Sequence, residues 1–162
     1  ADKHKDSLIL FTGYTDLVGD KIRSSSLNSF VKNALLWPFV LSSSLRQRFA
    51  KKLILLFGDP ISCPTVTFNW NILRNNFAFS RDYTCALDWH AWLELSSRSG
   101  SFVYLPQKLV QHRIHPDSET TNQLTLGIRQ KEELQIFEQM WGKRFAKLIS
   151  RLYASGYKDN EV

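Results

Sequence analysis

The chain is poor in cysteine and has no long apolar run, and each shortage excludes a class of protein. Only two of its 162 residues are cysteines, Cys63 and Cys85, in neither a C-x-x-C pair nor a four-cysteine framework. That excludes a zinc ribbon and a disulfide-stapled scaffold, and we expect a reducing, cytoplasmic environment. The longest apolar run, residues 34–41, contains a proline and falls short of the roughly 20 residues that cross a bilayer. The sequence therefore predicts a chain that does not span a membrane.

Several enzyme signatures are also missing. No G-x-G-x-x-G, G-x-x-x-x-G-K-[ST], H-E-x-x-H or G-x-S-x-G occurs anywhere in the chain. These absences argue against the common nucleotide-binding loops, zinc proteases and α/β hydrolases. With seven glycines, five prolines and 13% aromatic residues, the composition excludes collagen-like and disordered classes. What remains is an ordinary folded domain, or part of one, with 43% hydrophobic residues for a core.

The net charge of +6 is distributed unevenly along the chain. Residues 1–81 contain eleven Lys and Arg against five Asp and Glu, whereas residues 82–162 contain ten of each. A basic first half suits nucleic acid, an anionic membrane or a phosphorylated ligand. Nucleic acid is disfavoured, because these basic residues do not alternate with aromatic ones as in a recognised binding module.

The pattern of apolar residues predicts an α/β domain, since strand and helix signals alternate along the chain. Strands are predicted at residues 7–14, 65–68, 101–105 and 108–114, the last two joined by a proline turn. Helices are predicted at residues 30–36, 45–57 and 88–95, followed by two amphipathic helices separated by Gly142.

The predicted helix at residues 45–57 supports one alternative for function. Its apolar positions follow a 3.6-residue period, and Arg46, Arg48, Lys51 and Lys52 fall on the other side. Such a basic amphipathic helix, together with Trp37 and Phe39, suits docking on an anionic membrane or a partner protein. On this interpretation the chain is a non-catalytic docking module.

A first concentration of polar groups surrounds Asp88, at the start of a predicted buried helix. A carboxylate there, flanked by bulky apolar residues, suits a general base for an acceptor hydroxyl. Asp is also a preferred N-cap, so a purely structural role stays open. We expect Asp82 and Glu94 to be solvated surface charges, and His90 to be a packing or surface residue.

A second concentration lies at residues 111–121. Strand alternation puts Arg113 and His115 on one face, where they suit a diphosphate and its metal. Three hydroxyl residues follow, namely Ser118, Thr120 and Thr121. A loop whose hydroxyls cap the next helix is the alternative. Zinc binding by His112 and His115 is disfavoured, because no further His or Cys pair lies nearby.

Four segments, taken in order, carry a family resemblance that runs nearly end to end. They are Leu8-Ile-Leu-Phe-Thr-Gly-Tyr14, Gly58-Asp-Pro-Ile-Ser-Cys-Pro-Thr-Val-Thr-Phe68, Asp82-Tyr-Thr-Cys-Ala-Leu-Asp-Trp-His-Ala-Trp-Leu93 and His112-Arg-Ile-His-Pro-Asp-Ser-Glu-Thr-Thr121. Together they resemble the C-terminal half of a family 2 glycosyltransferase, the bacterial GT-A group that builds surface glycans.

The resemblance implies an incomplete GT-A mixed sheet with flanking helices and a C-terminal helical pair. Residues 1–121 would form the acceptor-side part of the catalytic domain, and residues 122–162 a helical extension packed on it. The implied reaction is inverting transfer from a nucleotide-diphosphate sugar to a hydroxyl of a glycan or lipid-linked acceptor. The protein would be cytoplasmic, with peripheral contact at the inner face of the membrane as an option.

The resemblance also assigns residue roles. Asp88 corresponds to the catalytic base, and His115 to the histidine that helps hold the metal, Mn²⁺ or Mg²⁺. The donor diphosphate would meet four further residues, namely Arg113, Ser118, Thr120 and Thr121.

Two departures from the family pattern bear on activity. Many relatives carry an acidic pair at the base position, whereas here Leu87 precedes Asp88, so a second carboxylate is missing or comes from elsewhere. The chain also has no D-x-D metal motif, which the family places before the strand that starts near Leu8. We therefore expect the isolated chain to be inactive, and to self-associate through sheet edges that a complete domain covers.

Overall fold

The computed structural model describes residues 4–18, 21–22, 27–114 and 127–155, and within them strands and helices alternate. The elements are β1 (Ser7–Val18), β2 (Lys21–Ile22), α1 (Leu27–Leu35), α2 (Pro38–Leu41), β3 (Ser44–Leu45), α3 (Arg48–Leu53), a 3-10 turn (Cys63–Thr65), β4 (Val66–Phe68), α4 (Trp70–Leu73), α5 (Leu87–Ser96), β5 (Ser101–Ile114) and α6 (Ile128–Ser155). The predicted α/β class is confirmed. No helix in these ranges has the length and apolar character needed to cross a bilayer.

The strands form one mixed sheet built around β1. The order is β2-β1-β5-β3, and β4 also pairs with β1. β1 and β5 run parallel, whereas the other pairs are antiparallel. Leu8, Ile9 and Phe11 of β1 are almost completely buried, and because successive side chains point to opposite faces, both faces of the sheet are covered there.

β5 differs from its prediction. Residues 101–114 form one strand, and the expected proline turn is a bulge in it. Leu105 pairs with Thr12 and Lys108 with Gly13, so Pro106 and Gln107 are the extra residues. Proline lacks an N–H and is accommodated where the ladder is already interrupted. A Cβ on Gly13 would lie 2.9 Å from the Pro106 carbonyl oxygen, so the bulge packs directly over this glycine.

The core lies between the sheet and the two long helices. Trp89, Trp92 and Leu95 of α5 are buried, as are Ile136 and Phe137 of α6. The rings of Trp89 and Phe137 meet edge to face with centroids 4.9 Å apart. These contacts fix α6 against α5, and they bring Glu132 of α6 to the segment that precedes α5.

The predicted amphipathic helix at residues 45–57 is wrong. Leu45 belongs to β3, where it pairs with Phe102, and α3 spans only Arg48–Leu53. Lys51, expected on the polar side, is fully buried and donates from Nζ to the carbonyl oxygens of Arg98 at 2.7 Å and Gly100 at 2.8 Å. On the expected apolar side, by contrast, Phe49 is 73% exposed.

The docking surface predicted from this helix together with Trp37 and Phe39 is also wrong. Trp37 is exposed, as that interpretation requires, but Phe39 is buried against Phe11 and Tyr104. A surface made of Trp37, Phe39 and a helix at residues 45–57 therefore does not exist in this fold.

Candidate functional site

The start of α5 is held by a carboxylate from a distant part of the chain. Glu132 of α6 is buried, and its two oxygens accept three backbone N–H groups: Thr84 at 2.8 Å, Cys85 at 2.8 Å and Ala86 at 2.9 Å. All three donors precede Leu87, the first residue of α5, and buried backbone N–H groups need such an acceptor. Glu132 thus anchors the segment that leads into the helix from outside it.

Asp88 is not the N-cap that one interpretation expected. The cap position is Ala86, which makes no side-chain cap hydrogen bond, and Asp88 is the second residue of the helix. Its Oδ1 accepts the N–H of Trp89 at 2.8 Å. Burial raises the pKa of Asp88 above its ordinary value, although this hydrogen bond and two nearby cations work the other way.

A second carboxyl group, Asp59, lies near Asp88. Burial raises its pKa well above the ordinary value, and the negative charge of Asp88 raises it further. Asp59 Oδ1 accepts the N–H of Ile61 at 2.9 Å. Both carboxyls also act on Cys63, whose pKa is raised to about 11, first by burial and then by Asp88 and Asp59. The Cys63 side chain is therefore a neutral thiol at physiological pH.

Two cations face this pair from different elements. Lys32 of α1 and Arg129 of α6 each lower the pKa of both Asp59 and Asp88. Burial alone would lower the pKa of Lys32, but the negative charges of ionised Tyr14, Tyr153 and Asp59 outweigh it, so the pKa is raised. Arg129 also donates from Nε to Glu133 Oε1 at 2.8 Å. The site combines two desolvated carboxyls with two cations.

A cleft of about 240 Å³ opens beside these groups. Its lining includes Lys32 itself, Pro60, which follows Asp59, and Lys108 from the bulged part of β5. Aromatic walls come from Tyr14 and Tyr104. Neither Asp59 nor Asp88 is among the lining residues, so Lys32 is the side chain that links the cleft to the charged group.

The residues predicted around the diphosphate are only partly described. Arg113 is exposed in β5, paired opposite Leu17, and is not among the residues that line the cleft. Its neighbour His112 places Nδ1 3.0 Å from Asp16 Oδ1. The remaining four lie outside the described residues, namely His115, Ser118, Thr120 and Thr121.

The rival polar residues near α5 have ordinary structural roles. Asp82 is exposed and accepts a hydrogen bond from Ser80 Oγ at 3.4 Å. Glu94 forms an ion pair with Arg98, which lies just past the end of the helix. The ring of His90 stacks on Tyr83 with centroids 4.6 Å apart, so the expected packing role is confirmed.

The described residues do not by themselves form a metal site. Nowhere in residues 4–18, 21–22, 27–114 and 127–155 do three His, Cys, Asp or Glu side chains converge as metal ligands. The charge of Asp59 and Asp88 is met instead by Lys32 and Arg129.

Sequence reasoning missed Asp59, Lys32 and Glu132. Asp59 follows a glycine with φ of 147°, and a Cβ on Gly58 would lie 2.4 Å from the ring of Tyr153. The Gly-Asp-Pro sequence was a usable signal for a constrained turn that presents a carboxylate. Lys32 and Glu132 had no such signal, because each reaches the site only through long-range packing.

No protein-family model, curated protein or solved structure matches this chain.

Proposed function

We propose that this chain is the acceptor-side part of an inverting glycosyltransferase of the GT-A type, with Asp88 as its general base. The observation that carries the proposal is the half-buried Asp88 carboxyl, whose pKa is raised, beside Asp59 and a cleft lined by Lys32. The substrates would be a nucleotide-diphosphate sugar and a hydroxyl acceptor. The α/β sheet would be the second part of an incomplete GT-A sheet.

The chemistry requires a base that is ionised but not too weak. In an inverting transfer, one carboxylate takes the proton of the acceptor hydroxyl as its oxygen attacks the anomeric carbon. A base is most effective when its pKa lies near the working pH, and burial moves Asp88 in that direction. Lys32 and Arg129 offset part of this shift, so they favour the ionised form that a base needs.

Asp59 supplies the second carboxylate that the family pattern places directly before the base. Leu87 occupies that position here, but the turn at Gly58 brings a carboxyl close to Asp88 from another segment. Two neighbouring carboxyls disfavour each other's ionisation. Here the charge of Asp88 raises the pKa of Asp59, so in this proposal Asp59 keeps its proton while Asp88 ionises, and it is a positioning residue.

The leaving diphosphate requires positive charge, which the cleft provides. Lys32 and Lys108 line it and suit an anionic group, whereas the carboxylate in the lining, Asp16, lies 3.0 Å from His112 Nδ1. The roles expected for Arg113, Ser118, Thr120 and Thr121 on the diphosphate, and for His115 on Mn²⁺ or Mg²⁺, stay part of the proposal.

The test starts with the gene sequence upstream of the codon for Ala1. Alternating strands and helices that end in D-x-D would justify expressing the whole reading frame and assaying release of nucleoside diphosphate from sugar nucleotides with manganese. Asp88→Asn should lower the rate by about 10²- to 10⁴-fold with donor binding nearly intact, since it removes general-base catalysis. The matched control is Asp82→Asn, which changes an exposed carboxylate on the approach to the same helix and should leave the rate unchanged.

Two results would overturn the proposal. The first is a reading frame that begins at or near Ala1, because it would provide no donor half. The second is an Asp88→Asn enzyme that transfers sugar at the normal rate. The alternative function, a docking module, is favoured by a different surface, on the last helix.

A further inference from the structure

The last helix changes direction at one glycine. Gly142 interrupts α6 with φ 72° and ψ 160°, a left-handed conformation that suits a residue without a side chain. Immediately before it, Trp141 Nε1 donates to the carbonyl oxygen of Leu56 at 2.8 Å. The helix is therefore anchored on the body of the protein at Trp141, and residues 143–155 leave that point in a new direction.

Beyond Gly142 the helix carries three parallel stripes with the same i, i+3, i+7 spacing. The stripe that packs on the protein consists of Ala146, Ile149 and Tyr153. Ala146 is completely buried, and the ring of Tyr153 contacts Trp89 and Phe137. This face of the helix therefore packs against the hydrophobic core.

The second stripe is apolar and exposed. Phe145, Leu148 and Leu152 are each one position before a packed residue, and they are 64%, 59% and 68% exposed. Residues at this spacing lie on one face of a helix. The helix therefore presents a continuous apolar face to the surroundings, next to the face that packs.

The third stripe is basic. Arg144, Lys147 and Arg151 are exposed and each one position before an apolar residue, so the two stripes run side by side. Lys143 adds a fourth positive charge at the start of the segment. Residues 143–155 contain no Asp or Glu, so the segment has a formal charge of +4.

We propose that residues 143–155 dock on an anionic phospholipid surface. A helix with a basic face beside an apolar face lies in the plane of a bilayer interface, where apolar side chains enter the acyl boundary and cations meet lipid phosphates. Phe145, Leu148 and Leu152 would insert, and Arg144, Lys147 and Arg151 would contact the headgroups. This inference stands apart from the glycosyltransferase proposal and does not depend on it.

The charge of the segment favours an anionic bilayer over a second copy of the chain or nucleic acid. In a dimer, the four positive charges of one copy would face the four positive charges of the other, with no carboxylate in the segment to pair with them. Nucleic acid would satisfy the basic stripe but would leave the apolar stripe in water. Of these three occupants, an anionic lipid surface is the one that satisfies both stripes at once.

The test is co-sedimentation of the chain with vesicles of phosphatidylcholine containing about 30% phosphatidylglycerol, against vesicles of phosphatidylcholine alone. We expect binding to the anionic vesicles that weakens as salt is added. Phe145→Ser should weaken it by about tenfold or more, from the lost insertion of one aromatic ring. Lys147→Glu should also weaken it by about tenfold, because it removes one positive charge and adds a negative one.

Two matched variants serve as controls, and circular dichroism checks that every variant is folded. Phe49→Ser changes a phenylalanine that is exposed to a similar degree on α3, and Lys131→Glu changes an exposed lysine before the kink. Neither should change vesicle binding.

Three results would overturn the proposal. One is equal binding to both kinds of vesicle. Another is a loss with Phe49→Ser that equals the loss with Phe145→Ser. The third is dimerisation, measured by sedimentation velocity without vesicles, that Phe145→Ser abolishes, since it would assign the face to a second copy of the chain.

Discussion

Two carboxylates close to the start of α5 are treated in opposite ways by the fold. Glu132 is buried and accepts three backbone N–H groups, so its charge is satisfied by the protein. Asp88 accepts the N–H of Trp89 and lies near a second carboxyl, Asp59, and burial raises its pKa. The hydrogen bonds to Glu132 stabilise the folded chain, whereas burial of the Asp88 carboxylate lowers the stability of the folded chain.

Glu132 and Asp88 have different roles at the start of α5. Because Glu132 binds the backbone N–H groups before the helix, Asp88 does not have to serve as the cap residue. A desolvated carboxyl persists only when the surrounding structure holds it in place. Neutralising Glu132 should therefore destabilise the fold, whereas neutralising Asp59, whose pKa the charge of Asp88 raises, should stabilise it.

The largest effect should come from Glu132→Gln. The amide keeps one acceptor oxygen but turns an NH₂ group toward backbone donors, so at least one buried N–H loses its partner. We expect the free energy of unfolding to fall by about 3 kcal/mol, since a charged acceptor inside the protein is lost. Urea denaturation monitored by circular dichroism measures this.

The control for this prediction is Glu138→Gln, on the same helix. Glu138 is less buried, so its neutralisation should change stability by less than about 0.5 kcal/mol. Equal, small effects of the two substitutions would mean that the three hydrogen bonds to Glu132 do not hold the start of α5.

Local patterns predicted the parts of the fold that local forces determine. The strand at residues 7–14 and the helix around Trp89 were correctly located, although β1 extends to Val18, because the buried side chains of both elements are predominantly apolar. The helix at residues 45–57 was wrong, because strand pairing of Leu45 with Phe102 overrides the helical period. Burial of the Lys51 ammonium depends on carbonyl oxygens near residue 100, which no local pattern contains.

The candidate site was predictable only in part, for the same physical reason. Asp88 stood out because it begins a helix among apolar residues. Its partners come from elements far apart in sequence: Lys32 from α1, Asp59 from the turn after α3 and Arg129 from α6. Counting charge by halves of the chain also hid the basic segment after Gly142, because acidic residues elsewhere in the second half balance it.

Lys51 extends the comparison to a buried charge of the opposite sign. Burial, and then the positive charge of Arg48, lower the pKa of Lys51 from 10.5 to about 8. Between pH 8 and pH 10.5 the folded chain has released this proton and the unfolded chain still holds it. Stability should therefore rise with pH in that window, by at most about 1.4 kcal/mol per pH unit.

Lys51→Met should remove this rise, because the titrating group is gone. The matched control is Lys52→Met, which changes an exposed neighbour and should retain the rise. Thermal unfolding of the three proteins at pH 7.5, 8.5 and 9.5, the range around the lowered pKa, compares their slopes. Parallel slopes for the wild type and Lys51→Met would show that Lys51 is not the group that titrates.

The smallest effect, and the one with the opposite sign, should come from Asp59→Asn. The pKa of Asp59 is raised in the folded chain, so as pH rises the unfolded chain loses this proton first. The wild type should therefore lose stability as pH rises from about 4 through the folded pKa. Asn keeps the oxygen that accepts the Ile61 N–H but carries no charge against Asp88. The variant should be more stable than the wild type by about 1 kcal/mol at pH 7 and no more stable below pH 4. Urea denaturation at both pH values measures the difference. A variant that is less stable than the wild type at pH 7 would contradict the prediction and would mean that Asp59, like Glu132, stabilises the fold.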